Sequence, residues 1–144
     1  MMTKASDQVE IRIPRRAEFV RVARMAACAV ASKMGFTIDI IKDIELAVGE
    51  ACANAVEHVA EESCNEILVR FSIGGDELIM EVMDRGQGFD LEQAVKAAGE
   101  GNWEEPGGLG LIVIRELMDD MHVTCDPSTG TCVRMVKRRT EQGG

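Results

Sequence analysis

Partway along the chain the apolar residues change their spacing, and that change restricts the fold more than any other feature. Up to about residue 61 they recur at intervals of three and four, the repeat of one helix face; from Glu66 they alternate with polar residues, the repeat of a half-buried strand. Ile38, Ile41, Leu46, Val48, Cys52, Val56 and Val59 carry the helical repeat through a segment predicted to begin at Thr37, a good N-cap residue, and to end near Glu61. Val20, Ala23, Arg24 and Ala27 predict an earlier helix over residues 17–34, with Gly35 as its stop. Residues 66–73 and 77–83 read as a hairpin around Gly74-Gly75-Asp76. A short strand over residues 9–13 is stopped by Pro14, a third helix runs from Gly108 to Met121, and residues 123–125 with 132–136 close the chain as a second hairpin. Residues 91–106, with Gly99, Gly101 and Trp103, read as a mobile loop. Strands gathered into hairpins with helices between them predict an α+β two-layer sandwich, a mixed, mainly antiparallel sheet covered on one face by helices.

A chain of 144 residues can bury roughly 68–70 % of its unfolded surface in one core, so a single domain over residues 1–140 is expected, with 141–144 a frayed polar tail. Its 25 acidic residues against 16 basic ones leave a net charge of −9, which lacks the basic footprint of nucleic-acid binding and better suits a partner with a basic surface. With no tyrosine and one tryptophan there is no base-stacking platform either. No run of about 18 apolar residues occurs, and residues 1–10 lack the charged-then-apolar order of a signal peptide, so a cytoplasmic location without membrane contact is expected. The five cysteines are odd in number and show no C-x-x-C spacing, which predicts reduced, mostly buried thiols. Cys125 and Cys132 flank a turn where they could face each other, although a reducing compartment makes a disulfide there unexpected.

Three short motifs bear chemistry. Glu50 and Asn54, four apart on a helix, share a face with Cβ atoms roughly 5–6 Å apart, so a carboxylate and an amide point the same way. Such a pair can hold a hydroxyl nucleophile beside a hydrated magnesium, which prefers oxygen ligands; taken alone it is more often a solvated helix face. Asp84-x-Gly86-x-Gly88 ends a strand, so the carboxylate can meet an adenine amino group while the glycines admit close backbone approach; alone it is more often a plain turn. Gly107-Gly108-Leu109-Gly110-Leu111 opens a helix, whose free N–H groups suit phosphate, or whose glycines merely permit tight packing. It is neither a Walker loop nor a dinucleotide fingerprint, since no Lys-Ser/Thr follows and no βαβ unit surrounds it.

Taken together, Glu50-Ala-Cys-Ala-Asn54-Ala, Asp84-Arg-Gly-Gln-Gly88 and Gly107-Gly-Leu-Gly-Leu111 resemble, in order and separation, the N, G1 and G2 boxes of the GHKL ATPase superfamily of gyrase, heat-shock chaperone, histidine kinase and mismatch-repair proteins. Gly130-Thr131 resembles the further Gly-Thr of that superfamily. The compact length, the run from Gly108 to Asp120 and the end from Gly130 to Lys137 look most like anti-sigma factor serine/threonine kinases of the sporulation and stress-response type, over nearly the whole chain.

The resemblance implies a Bergerat-type ATP-binding fold with ATP and Mg2+ as ligands. It implies that Glu50 is the general base, that Asn54 ligates magnesium and that Asp84 accepts from the adenine amino group. Gly86 and Gly88 would shape the base pocket, Gly107, Gly108, Leu109, Gly110 and Leu111 would wrap the phosphates, and Thr131 would complete the base site. It further implies a homodimer that holds a sigma factor inactive and phosphorylates a serine on an anti-anti-sigma protein. Some members carry a basic residue before the G2 glycines where this chain has Glu104-Glu105-Pro106, which leaves phosphate neutralisation to magnesium and backbone amides. A non-catalytic, ATP-dependent regulatory module of the same fold is the alternative. The catalytic half of a histidine kinase fits less well, because no helical segment is left to bear a phosphoacceptor histidine.

Overall fold

The computed structural model describes residues 7–57, 66–84, 108–126 and 130–140. Five strands, β1 (Asp7–Pro14), β2 (Glu66–Gly74), β3 (Glu77–Asp84), β4 (Asp120–Asp126) and β5 (Gly130–Arg138), join three helices, α1 (Val20–Met34), α2 (Ile38–Glu57) and α3 (Gly108–Leu117). One 3-10 turn, Ala17–Phe19, leads into α1. The strands lie in the order β1-β2-β3-β5-β4, so the last strand of the chain is inserted between two earlier ones. All four pairings are antiparallel, and the parallel component that a mixed sheet allows for is not found among the described residues.

The alternation of side chains places Ile67, Val69 and Phe71 of β2 and Leu78, Met80 and Val82 of β3 on one face, fully buried under the helices. The helices meet them with small residues: Ala23, Ala27 and Ala31 of α1, and Ala47, Ala51 and Ala55 of α2. The stripe of α2 that packs is Ile44, Ala47, Val48, Ala51, Cys52 and Ala55, whereas Ile38 and Leu46, expected within it, are exposed. Counting only large apolar residues misplaced the stripe, because half of it is alanine.

The helix ends follow their chemistry. Gly35 takes φ +87°, and its N–H donates back to the carbonyls of Ala31 and Ser32, closing α1 in the left-handed conformation that glycine adopts without steric cost. Thr37 caps α2, its Oγ1 accepting from the Ile40 N–H at 3.3 Å. α3 ends at Leu117 rather than Met121, because Asp120 and Met121 are drawn into β4 by pairing with Val136 and Met135. β1 also extends beyond the predicted residues 9–13 at both ends.

The face of the sheet that the described helices leave uncovered carries a row of alternating charge, Glu10, Arg70, Glu81 and Arg134, that ends at His122, one residue from each strand. Arg70 donates to Glu10 at 2.6 Å and to Glu81 at 3.4 Å. Half-buried Leu68, Met83 and Cys132 flank this row on one side and Ile79 with buried Val136 on the other. Among the described residues no helix is long and apolar enough to cross a membrane.

Candidate nucleotide and phosphoryl-transfer site

α2 delivers the first group of side chains. Asn54 sits seven residues beyond Ala47 on the packed face and is only 6 % exposed, while Glu50 lies half-buried at the margin of that face. The first turn of α3 is laid directly against both. A Cβ placed on Gly110 would come within 2.6 Å of Glu50 Oε1, 3.6 Å of Asn54 Nδ2 and 3.7 Å of Asn54 Oδ1. Glycine at 110 is therefore what lets this helix N-terminus touch the carboxylate and the amide. The first N–H groups of α3 have no partner within their own helix, so the expected anion-binding end faces Glu50 and Asn54. Leu111 is fully buried in the core and can contribute only its backbone, whereas Leu109 is exposed.

Glu50 also lines a groove of about 470 Å³ between α1 and α2, bounded by Ala17, Arg21, Arg24, Gly49 and Glu57 among others. The carboxylate thus stands between an open groove and the α3 terminus. Cys52, between Glu50 and Asn54 in sequence, faces the core, and burial pushes its thiol up to about 12, which removes it as a nucleophile.

The strand ends deliver the second group. Ile13, Ile67, Asp84, Thr131 and Cys125 form one row across all five strands, with Asp84 directly opposite Thr131. Antiparallel neighbours in such a row have Cβ atoms roughly 4.5–5.5 Å apart, so the carboxylate and hydroxyl share one small space. Both are buried on the helix-covered side. Gly130, with φ +100°, opens β5 just before Thr131. Cys125 faces Thr131, its Sγ 3.7 Å from Thr131 Oγ1, and Cys132 is one position out of register on the opposite face of the sheet. The two cysteines therefore do not face each other. Nor are the thiols mostly buried: of the four described, only Cys52 is buried, Cys28 and Cys132 are half-buried and Cys125 is exposed.

Arg15 was not singled out by any motif, yet its side chain is only 3 % exposed and its Nη2 lies 3.7 Å from Asp84 Oδ1. A lone arginine after a strand carries no signal of its own; the pairing appears only once β1 is placed beside β2 and β2 beside β3. Gly86, Gly88, Gly107 and Trp103 lie outside the described residues.

The donor set suits a magnesium–nucleotide. No group of three or more His, Cys, Asp or Glu side chains gathers among the described residues, which excludes an all-protein metal cage there. Magnesium needs none, since it keeps several waters and phosphate oxygens around one or two protein oxygens. The buried Asn54 amide nitrogen has no hydrogen-bond partner among the described residues, so it can donate to an acceptor such as a phosphate oxygen, while a cation would take Oδ1.

The model of the histidine kinase-like ATPase domain matches residues 13–137. The serine-protein kinase RsbW of Bacillus licheniformis is 38 % identical over 144 aligned residues, covering 94 % of this chain and 88 % of that protein. The serine-protein kinase RsbW of Bacillus subtilis is 36 % identical over 143, with the same coverage. Among solved structures, a crystal structure of the RsbU and RsbW domains of a Mycobacterium tuberculosis protein superposes with a TM-score of 0.67 at 20 % identity, over 92 % of this chain and 32 % of that one; at this identity the likeness concerns the fold. With the antiparallel sheet, the helix-borne Glu50 and Asn54 and the strand-end Asp84 already in place, these matches mean that the chain belongs to the histidine kinase-like ATPase domain family, alongside the RsbW serine-protein kinases.

Proposed function

We propose that this chain is an ATP-dependent protein serine kinase that phosphorylates an anti-anti-sigma protein and otherwise holds a sigma factor inactive. The observation that carries the reading is the position of Glu50, with its carboxylate between the α1–α2 groove and the N-terminus of α3. A serine presented through the groove meets a proton acceptor on the way to the phosphate-binding end of a helix. The Glu50 carboxylate accepts the hydroxyl proton as the serine oxygen bonds to the terminal phosphorus and the bond to the departing ADP oxygen breaks. Asn54 would hold a magnesium ion, which would supply charge neutralisation when bound, and the α3 amides orient the phosphate oxygens. Asp84 and Thr131 hold the base, while Gly108 and Gly110 bring the α3 backbone to the phosphates; the base-pocket and phosphate roles that the resemblance implies for Gly86, Gly88 and Gly107 fall outside the described residues. The RsbW relatives and the net charge of −9, suited to a basic partner surface, support the regulatory part of this reading.

The protein works in the cytoplasm as a single domain over residues 1–140, and as a homodimer. The uncovered sheet face supports the last point: its alternating charge lets a second copy, offset by one strand, set opposite signs together between apolar rows. Incubation with labelled ATP and a serine-bearing candidate antagonist tests the activity. Label on the antagonist is the expected result. Nucleotide binding without any transfer would identify a non-catalytic regulatory module instead, and absence of nucleotide binding would overturn both.

A further inference from the structure

The kinase reading leaves the buried Arg15 side chain without work. Two arginines follow β1, and the backbone sends them opposite ways. The Arg16 N–H donates to the Pro14 carbonyl at 2.8 Å, forming a tight turn, and the exposed Arg16 guanidinium lies over the Phe19 ring at 5.0 Å. Arg15 turns inward to the row in which Ile13 pairs with Ile67, and Ile67 with Asp84. There its guanidinium is desolvated, with Asp84 7 % exposed beside it, and the 3.7 Å separation is too long for a direct hydrogen bond. None of its three nitrogens has a hydrogen-bond partner among the described residues. A planar group with five donors, paired to a carboxylate only at a distance, is incomplete as a structural device; an occupant bearing acceptors completes it.

We propose that Arg15 is a second base-reading residue, donating to ring nitrogen N1 of adenine while Asp84 accepts from the neighbouring amino group. The assignment rests on the ATP-binding reading above. Adenine presents a donor and an acceptor side by side on that edge, and Asp84 with Arg15 presents the matching acceptor and donor. Guanine reverses the pattern: its O6 would meet the carboxylate and its N1–H the guanidinium, each pair of like kind. Sites built to hydrogen-bond a substrate reject the reversed or deleted group far more strongly than apolar pockets do. The inward turn at Arg15 thus gives this chain selectivity for adenine beyond what Asp84 provides alone.

The test is calorimetric titration of the full chain with Mg-ATP and with Mg-1-deaza-ATP, in which N1 is replaced by C–H. The unsubstituted protein is expected to bind ATP about 10- to 100-fold more tightly, the size of one hydrogen bond to a charged donor. Arg15→Met keeps a comparable apolar stem without donors. In this variant ATP affinity falls to roughly that of the analogue and the ratio between the two ligands collapses to about twofold. Tighter ATP binding by Arg15→Met would show instead that the guanidinium merely plugs the empty pocket, and an unchanged ratio would show that it acts only in folding; either overturns the proposal. Should Arg15→Met not fold, equal affinities of the unsubstituted protein for the two nucleotides overturn it as well. A protein that binds neither nucleotide brings down the kinase reading itself, which separates the two failures.

Discussion

The two halves of the site are assembled in different ways. The helix half takes Glu50 and Asn54 from one turn of α2 and adds Gly110, whose missing side chain is what allows contact. The strand half takes Arg15, Asp84 and Thr131 from positions more than a hundred residues apart at the extremes and depends on three successive pairings. The first opens on a groove and the second is buried. Chemistry on an arriving protein needs an accessible carboxylate, whereas discrimination of a base needs polar groups with no water to compete. The division is one of access as well as of residue type.

The most forceful way to break that contrast is Glu50→Gln. It is expected to slow phosphoryl transfer by about 10²–10⁴ while ATP affinity changes less than about twofold, because general-base catalysis is of that size and the base pocket lies elsewhere. Rapid-quench transfer assays beside equilibrium titration check it, and an equal loss in both would merge the two halves. Asp84→Asn attacks the other half. It leaves the buried Arg15 guanidinium facing a neutral amide, and loss of about 3 kcal/mol in urea unfolding is expected together with weaker ATP binding. A variant as stable as the parent would mean that the two side chains do not interact.

Gly110→Ala sharpens the comparison, because its two effects have opposite sign. Alanine gains up to about 1 kcal/mol of helix propensity over glycine, and the atom that it meets is the flexible end of Glu50, which can swing aside. Stability should hold or rise slightly while transfer falls about tenfold, measured by thermal melts and initial rates. The smallest effect concerns thiols. Burial pushes Cys52 up to about 12 and Cys132 up to about 11, so the folded chain keeps protons that an unfolded chain releases near pH 9. Their contribution is complete below pH 9 and is lost as the pH rises through 11 and 12. By pH 10 the loss is on the order of 1 kcal/mol for buried Cys52 and smaller for half-buried Cys132, where solvent screens the charge, so the unfolding free energies of the parent and Cys132→Ala in urea should draw together slightly from pH 8 to pH 10.

The helix half was legible in the residue order because a helix brings i and i+4 together by its own geometry, and Glu50 and Asn54 needed no partner element to be seen. The hairpins were legible for the same local reason, through alternation and Gly74-Gly75-Asp76. What escaped depended on contact between distant segments. Arg15 gains meaning only after β1 and β3 are both paired with β2, and the end of α3 shifted because pairing with β5 outweighed helix propensity at Asp120 and Met121. The register that sets Cys125 against Thr131 and Cys132 on the other face likewise depends on a one-residue offset that composition does not carry.

The position of β5 has a consequence for how the molecule comes to exist. Because the final strand fills the gap between β3 and β4, a nascent chain halted before Gly130 has neither Thr131 nor a partner for the outer edge of β3. Such a fragment presents Leu78 to Asp84 as an unsatisfied template for other chains, and the addition of β5 both conceals that edge and sets Thr131 opposite Asp84. A nucleotide held at the proposed site would then favour chains in which β5 has paired, since a ligand that binds only the native form draws the equilibrium toward it.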